Sequence, residues 1–432
     1  MDALREFKLR YGDVELSVKI PADQVLHVIE GKEFPPISDI PGAVLRALEK
    51  PIDSPPLREI VKPGDRVVIT VSDITRAWIK NHLFLPTTLN VLNEAGVPDS
   101  NIEIIIAVGA HRKNTEEEFK VLVGEEVFRR VKRISNHDCH DKANLKYMGK
   151  TSSGTPVYIN KTVAEADKVI LTGGIVYHFM AGFGGGRKSV LPGISGLETI
   201  QASHLLCMAE KEGDGLKQAA SSSITYGNPA HEDMMEIAAF LKPDFLLNVV
   251  LTPAGEYAGI FAGNWVSAFY KGCELVEKIY GIPIEQEADI VIASAGGFPK
   301  DINLYQSSKT MDNAFYAVRK GGVVIILSEC RDIYEPLEFT DWFRYDTPFE
   351  MEKALRANFR IPGYVAFREV ECSKKATYIF VTRAENAELI KKAQMIPVTT
   401  VEEALEFAFE KVGKDAKITI MPQGANTFPI KK

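Results

Sequence analysis

The stretch Lys168-Val169-Ile170-Leu171-Thr172-Gly173-Gly174-Ile175-Val176-Tyr177-His178 decides the fold. Its first part is a run of large aliphatic side chains with no alternation. A strand reads this way when both of its faces are buried, as in a parallel sheet covered by helices. Two glycines and then a histidine follow. In open α/β sheets ligands bind outside the carboxyl ends of strands, so polar groups just past such a run are candidate site residues.

Runs of the same kind recur at residues 66–71, 102–108, 245–251, 289–293, 322–327, 377–382 and 417–421. Helical spacing fills the intervals at 87–94, 115–122, 228–241, 266–280, 310–319 and 401–412. Thr115 with Glu118 three residues later forms a capping box. This order predicts an α/β protein with mainly parallel, helix-covered sheets. The segment 6–20 alternates about Tyr11-Gly12-Asp13 and reads as a hairpin. A helix ends and a new strand pattern begins near Gly281-Ile282-Pro283, which predicts two domains, 1–280 and 281–432. The last thirty or so residues could return to the first.

The chain has 432 residues, 45% apolar and 25% charged, which are ordinary globular values. Its net charge of −7 lacks the basic field on which nucleic-acid binding depends. The longest apolar runs, 104–108 and 323–327, are far too short for a bilayer. Asp2, Arg5, Glu6 and Lys8 have no apolar core behind them, so no secretory signal is expected. Five cysteines (139, 207, 273, 330 and 372) show no Cys-x-x-Cys spacing, which suits a reducing cytoplasm.

Four strand ends carry ionisable groups. They are Asp73, Thr75 and Arg76; His111 and Arg112; His178; and Lys300, Asp301, Tyr305, Gln306 and Lys309. The densest segment is Tyr177-His178-Phe179-Met180-Ala181-Gly182-Phe183-Gly184-Gly185-Gly186-Arg187-Lys188-Ser189. Gly184, Gly185 and Gly186 let backbone approach a ligand, and Arg187 and Lys188 add charge, so an anionic ligand is expected. The P-loop and dinucleotide patterns both fail at Arg187. A glycine hinge would not explain the adjacent Arg-Lys. His204 shares a helix face with Ile200 and Leu197, where a histidine is either a satisfied core residue or a metal ligand. A rival metal cluster, His137-Asp138-Cys139-His140-Asp141, has suitable ligand types but no second pair to complete a zinc pattern.

The motif His178-x-x-Ala181-Gly182-Phe183-x-Gly185-Gly186-Arg187-Lys188, with Leu191-Pro192-Gly193 and His204, resembles the signature of the nickel-pincer-nucleotide lactate racemases. So do Asp73-x-Thr75-Arg76, His111-Arg112-x-Asn114-Thr115-Glu116-Glu117-Glu118 and Asp301-Ile302-Asn303-Leu304-Tyr305-Gln306-x-x-Lys309, in the same order from 73 to 309. The resemblance implies an isomerase that inverts C2 of a 2-hydroxy acid by reversible hydride transfer. Its cofactor would be a nickel-pincer nucleotide, a pyridinium-3-thioamide-5-thiocarboxylic acid mononucleotide, joined covalently to Lys188. By the same resemblance His204 would ligate the nickel, and His111 and His178 would be the acid/base pair. Asp73, Thr75, the three glycines and Arg187 would contact the cofactor. Arg76, Tyr305, Gln306 and Lys309 would hold the substrate, in an active-site cleft between the two domains.

Two mirror-related substrates call for a base on each face, and imidazole titrates where a base must both take and return a proton. Arg76 suits bidentate capture of a carboxylate, and Lys309 could polarise the substrate oxygen. Trp78 is bulkier than lactate specificity would require, so the expected acid is lactate or a larger relative. The implied partners are that acid and the proteins that make the cofactor; homo-oligomerisation is left open. The alternatives are a nucleotide-dependent phosphotransferase using the glycine loop, a non-catalytic nickel- or nucleotide-binding protein, and a dehydrogenase using free NAD.

Overall fold

The computed structural model describes residues 4–431. They divide into two compact units. One comprises Glu33–Cys207 and Gln218–Ile279. Its six-stranded sheet has the order Tyr257–Gly263, Phe245–Leu251, Lys168–Gly174, Val67–Ser72, Ile102–Ala107, Arg133–Asn136. All neighbours are parallel except Tyr257–Gly263, which returns antiparallel along one edge. That edge strand carries little of the aliphatic run that marks the others, and so escaped the sequence pattern.

The aliphatic runs are buried as expected. Ile69, Ile104, Phe245 and Val249 are fully covered and share one core with the helix Leu85–Glu94. That helix buries Leu85, Leu89 and Leu92 at helical spacing, and each such leucine contributes about 1.5–3 kcal/mol of burial. The helix Glu116–Val123 opens on the Thr115–Glu118 capping box.

The order of this sheet fixes where a ligand can sit. From Val67–Ser72 the chain proceeds outward on one side through Ile102–Ala107 and Arg133–Asn136. It then crosses back to Lys168–Gly174 on the other side. The direction of winding therefore reverses between Val67–Ser72 and Lys168–Gly174, and the connections there splay apart to leave a crevice. Asp73, Thr75 and Arg76 leave one lip of it and Gly174 to His178 the other.

The second unit comprises Tyr280 onward, Met208–Lys217 and residues 4–32. Its sheet is wholly parallel, in the order Ile396–Val398, Thr377–Val381, Val318–Leu327, Ala288–Ser294, Ile418–Met421, Val25–Val28. The expected partition at 1–280 therefore needs correction at the amino end. Val25 pairs with Ile418 and His27 with Thr419, so the first residues complete the sheet of the later ones. The expected hairpin forms between Leu4–Tyr11 and Val14–Pro21 and buries Phe7, Leu9, Val18 and Ile20 in the same core. Residues 418–421, which could have returned to the first domain, instead lie inside this sheet.

The helix expected at 310–319 is displaced. It runs Leu304–Phe315, because the Asn303 side chain accepts from the Gln306 N–H at 2.9 Å and starts it earlier. Val318 already belongs to the next strand. Among the described residues, no helix is long and apolar enough to cross a membrane.

Candidate active site

At the crevice of the first unit, Asp73 is buried and works in two directions. Its Oδ1 accepts from the Thr75 backbone N–H at 2.8 Å and from the Thr75 hydroxyl. Its Oδ2 lies 2.8 Å from Nδ1 of His111. Burial alone would raise the Asp73 pKa, but the hydrogen bonds from His111 and Thr75 outweigh it and hold the carboxyl below its usual range. Asp73 and Thr75 were expected to contact a cofactor; here they bond to each other, and Asp73 bonds also to His111. Arg76 is exposed, with its guanidinium at 3.1 Å from the Thr75 hydroxyl oxygen.

On the opposite lip His178 stacks on Phe179 with ring centroids 4.7 Å apart. Its Nδ1 accepts from the backbone N–H groups of Met180 and Ala181, each at 3.2 Å. Burial, then the charges of Lys188, Arg76 and Arg187, hold the ring well below its ordinary pKa. Trp78 packs on Gly174, where an added Cβ would stand 2.7 Å from its ring. The size of Trp78 is thus accommodated by a missing side chain on the neighbouring strand.

The glycine loop is organised from within. Arg187, expected to contact the cofactor, is fully buried. Its guanidinium donates to the carbonyls of Ala181 at 2.6 Å and Phe183 at 2.9 Å and lies 4.7 Å over the Phe269 ring. Gly185 and Gly186 have positive φ, and added Cβ atoms would strike Asn248 at 2.9 Å and Phe269 at 2.5 Å. Their missing side chains therefore make room for the protein itself. Gly184 meets nothing closer than 3.4 Å and leaves backbone more open. The turn Gly186–Ser189 is too short to be the helix of a P-loop. Two residues here were missed in the sequence. Asn248, whose Oδ1 accepts from Gly186 N–H at 2.7 Å, was signalled by a lone polar residue inside an aliphatic strand. Phe269 carried no such signal.

Lys188 follows Arg187 on this turn. Burial, then the charges of Arg187 and Arg76, pull its amine down to about 7. His204 lies buried on the helix Leu197–Leu205, and its Nδ1 is 2.6 Å from the Ile200 carbonyl oxygen. An Nδ1–H donated there leaves Nε2 as the basic nitrogen. Burial and the Lys188 charge hold His204 down to about 3. The Ser195 hydroxyl donates to the Val190 carbonyl, and Gly196 stands at the cap of this helix.

The rival cluster does not form a site. His137 is buried between the Ser195 carbonyl at 2.9 Å and Asn160 at 3.2 Å. Among the described residues, no group of three or more His, Cys, Asp or Glu side chains could hold a metal ion. In the second unit, Gln306 and Lys309 lie one turn apart on the Leu304–Phe315 helix and bond at 2.9 Å. Tyr305 packs edge-on against Phe339 at 5.2 Å.

The buried neutral histidines carry a pH consequence. His204 binds its proton near 6.5 when unfolded and near 3 when folded. Between those values the unfolded chain holds more protons, so stability present above about 6.5 is lost as pH falls. His204 alone contributes at most on the order of 1 kcal/mol per pH unit in that window. Urea unfolding of the cofactor-free chain should show a falling midpoint from pH 6.5 to 4; a flat profile would mean these rings are not buried and neutral.

Sequence comparison gives two family matches. The lactate racemase N-terminal domain matches residues 11–215, and the lactate racemase C-terminal domain matches residues 284–428. The lactate racemase of Thermoanaerobacterium thermosaccharolyticum is 32% identical over 98% of this chain and 99% of its own. That of Lactiplantibacillus plantarum is 33% identical over 88% and 89%. The structure of the Thermoanaerobacterium thermosaccharolyticum lactate racemase apoprotein superposes with a TM-score of 0.88 at 33% identity, over 99% of this chain and 100% of its own. A Thermotoga maritima protein, 17% identical with a TM-score of 0.62 over 91% and 97% of the two chains, shares the fold.

Proposed function

The chain belongs to the lactate racemase family and is an isomerase, and on that premise we propose that it inverts C2 of a 2-hydroxy acid, lactate or a larger relative, with His111 and His178 as the acid/base pair. The observation that carries this reading is the convergence on His178 of Lys188, Arg76, Arg187 and His204, together with the link from Arg76 through Asp73 to His111. Four segments separated in sequence thus share one electrostatic neighbourhood in the first unit.

The residues present fit a lysine-tethered, nickel-bearing pyridinium nucleotide at two points. Lys188, held down to about 7, offers a neutral amine for an amide-type link. His204, neutral with Nε2 as its basic nitrogen, offers one metal bond. One protein ligand is enough where the organic group supplies the others. Arg187 donates from both terminal nitrogens to loop carbonyls, which favours a loop-organising role for it over a phosphate contact. When bound, that group would supply the hydride acceptor that a weakly acidic C2–H requires.

The chain's own residues manage the proton and the carboxylate. His111, backed by Asp73, can take the hydroxyl proton at Nε2. His178 addresses the opposite face. Arg76 presents a planar fork suited to the carboxylate; in the second unit, Lys309 and Gln306 form a polar pair on the Leu304–Phe315 helix. A reducing cytoplasm, where all five cysteines stay buried thiols, and maturation proteins that build the cofactor complete the reading.

The test is chiral chromatography of single-enantiomer 2-hydroxy acids incubated with protein made alongside the maturation proteins and nickel. Interconversion of at least one acid is expected; none across a panel graded by side-chain size would overturn the reading. In the same assay Arg76→Lys keeps the charge but loses the fork and should cost at least tenfold in kcat/KM. Retention of most activity would make Arg76 a contributor to the field alone.

A further inference from the structure

His111 and His178 are held at the same ring atom by opposite kinds of group. Nδ1 of His111 faces the Asp73 carboxylate at 2.8 Å, and Asp73 is anchored by Thr75. An ionised carboxylate only accepts, so Nδ1 of His111 carries a proton, and in the neutral ring Nε2 carries the lone pair. Nδ1 of His178 faces two backbone N–H groups, those of Met180 and Ala181. Backbone N–H only donates, so Nδ1 of His178 carries the lone pair and Nε2 the proton.

We propose that the two histidines rest in opposite tautomers, that Asp73 is the positioning residue keeping His111 a ready base, and that His178 exchanges a proton only when the Met180 and Ala181 N–H groups release its Nδ1. The first half follows from what each charge state needs. When His111 takes a hydroxyl proton at Nε2, the O–H bond breaks, its pair stays on oxygen, and the ring becomes imidazolium. Its Nδ1–H still points at Asp73, so nothing else moves. His178 has no such freedom. To act as base at Nε2 it must first move its proton to Nδ1. To act as acid without becoming imidazolate it must first hold a second proton, also at Nδ1. Either step sets an N–H against two N–H donors, so residues 178–181 must shift before the ring can take part. At rest, His178 can donate an Nε2–H hydrogen bond to a substrate oxygen.

The groups acting on His178 favour this arrangement. Lys188, Arg76, Arg187 and His204 all oppose a charged ring there. Lys188 and Arg187 share its loop, whereas Arg76 comes from the lip carrying Asp73. The geometry assigns Asp73 a role toward His111 that is separate from any contact with a cofactor.

This inference deepens the proposed function, and its test reads the cofactor-free chain, so the two can fail separately. The full-length protein labelled with ¹⁵N-histidine is examined by long-range ¹H–¹⁵N correlation at pH 7.5, with His111→Gln and His178→Gln spectra assigning the two rings. The expected result is Nδ1–H for His111 and Nε2–H for His178. Two rings of the same tautomer, or Nδ1–H on His178, would overturn the proposal. Asp73→Asn can donate its amide to Nδ1, so His111 should switch to the Nε2–H form in the same spectrum. Loss of a comparable aspartate behind a serine-protease histidine lowers kcat by about 10⁴ through the wrong tautomer, and a loss of at least a hundredfold is expected here in the matured enzyme. An unchanged His111 tautomer in folded Asp73→Asn protein would reduce Asp73 to a structural residue. If that variant does not fold, the unsubstituted spectrum still decides the matter.

Discussion

Replacing His111 or His178 with alanine is expected to lower racemisation by roughly a hundred- to ten-thousandfold, the range for removing a positioned acid or base. The two enantiomers of a 2-hydroxy acid have equal free energies in water. Their kcat/KM values must therefore fall by the same factor, whichever histidine is removed. What can differ is the partition between kcat and KM, because each enantiomer presents its hydroxyl to a different ring. Substituting His111 also has a structural cost. Asp73, 5% exposed, would keep Thr75 but lose its ring partner. Leaving a buried carboxylate short of a donor costs about 1–3 kcal/mol, so thermal unfolding should be checked and the assay run well below the transition. Near-normal activity in either variant would sink the two-histidine reading.

Much of this site was legible in the sequence, and the part that was not has a physical explanation. Aliphatic runs such as Phe245–Leu251 announce buried strands because burial on both faces demands them. The residues after those strands announce the crevice because winding direction reverses there. Thr115 and Glu118 announce a helix start by reciprocal hydrogen bonds. A sequence does not say which way a side chain turns. Arg187 beside three glycines looks like charge offered to a ligand, yet it folds inward onto the carbonyls of its own loop. Asp73 and Thr75 look like ligand contacts, yet they point at each other and at His111. The amino-terminal strand Val25–Val28 was missed for a similar reason, since its partner lies nearly four hundred residues away. Asn303 could have been read as a cap; taking it so would have moved the 304–315 helix to its observed place.

The second large effect concerns Lys188. In matured, nickel-supplied protein this residue should carry a covalent adduct, and Lys188→Ala should lose adduct and activity together. The reason lies in what the fold does to the amine. An ordinary lysine near 10.5 is almost wholly ammonium at neutral pH and cannot form an amide-type bond. Burial, then the charges of Arg187 and Arg76, bring Lys188 down to about 7, where about half of it is neutral. Lys188→Arg keeps a cation there but supplies a guanidinium that stays charged and does not acylate, so it should be as inactive as alanine. Intact-mass spectrometry should show a species heavier than the unmodified chain, with peptide mapping placing the increment at 188. The cofactor-free chain offers an independent check. Its rate of labelling at Lys188 by an amine-selective acylating reagent should be half-maximal near pH 7 rather than near 10.5, because only the neutral amine reacts. A normal labelling profile would remove the physical basis for attachment. An active, nickel-loaded protein with unmodified Lys188 would refute the tether itself.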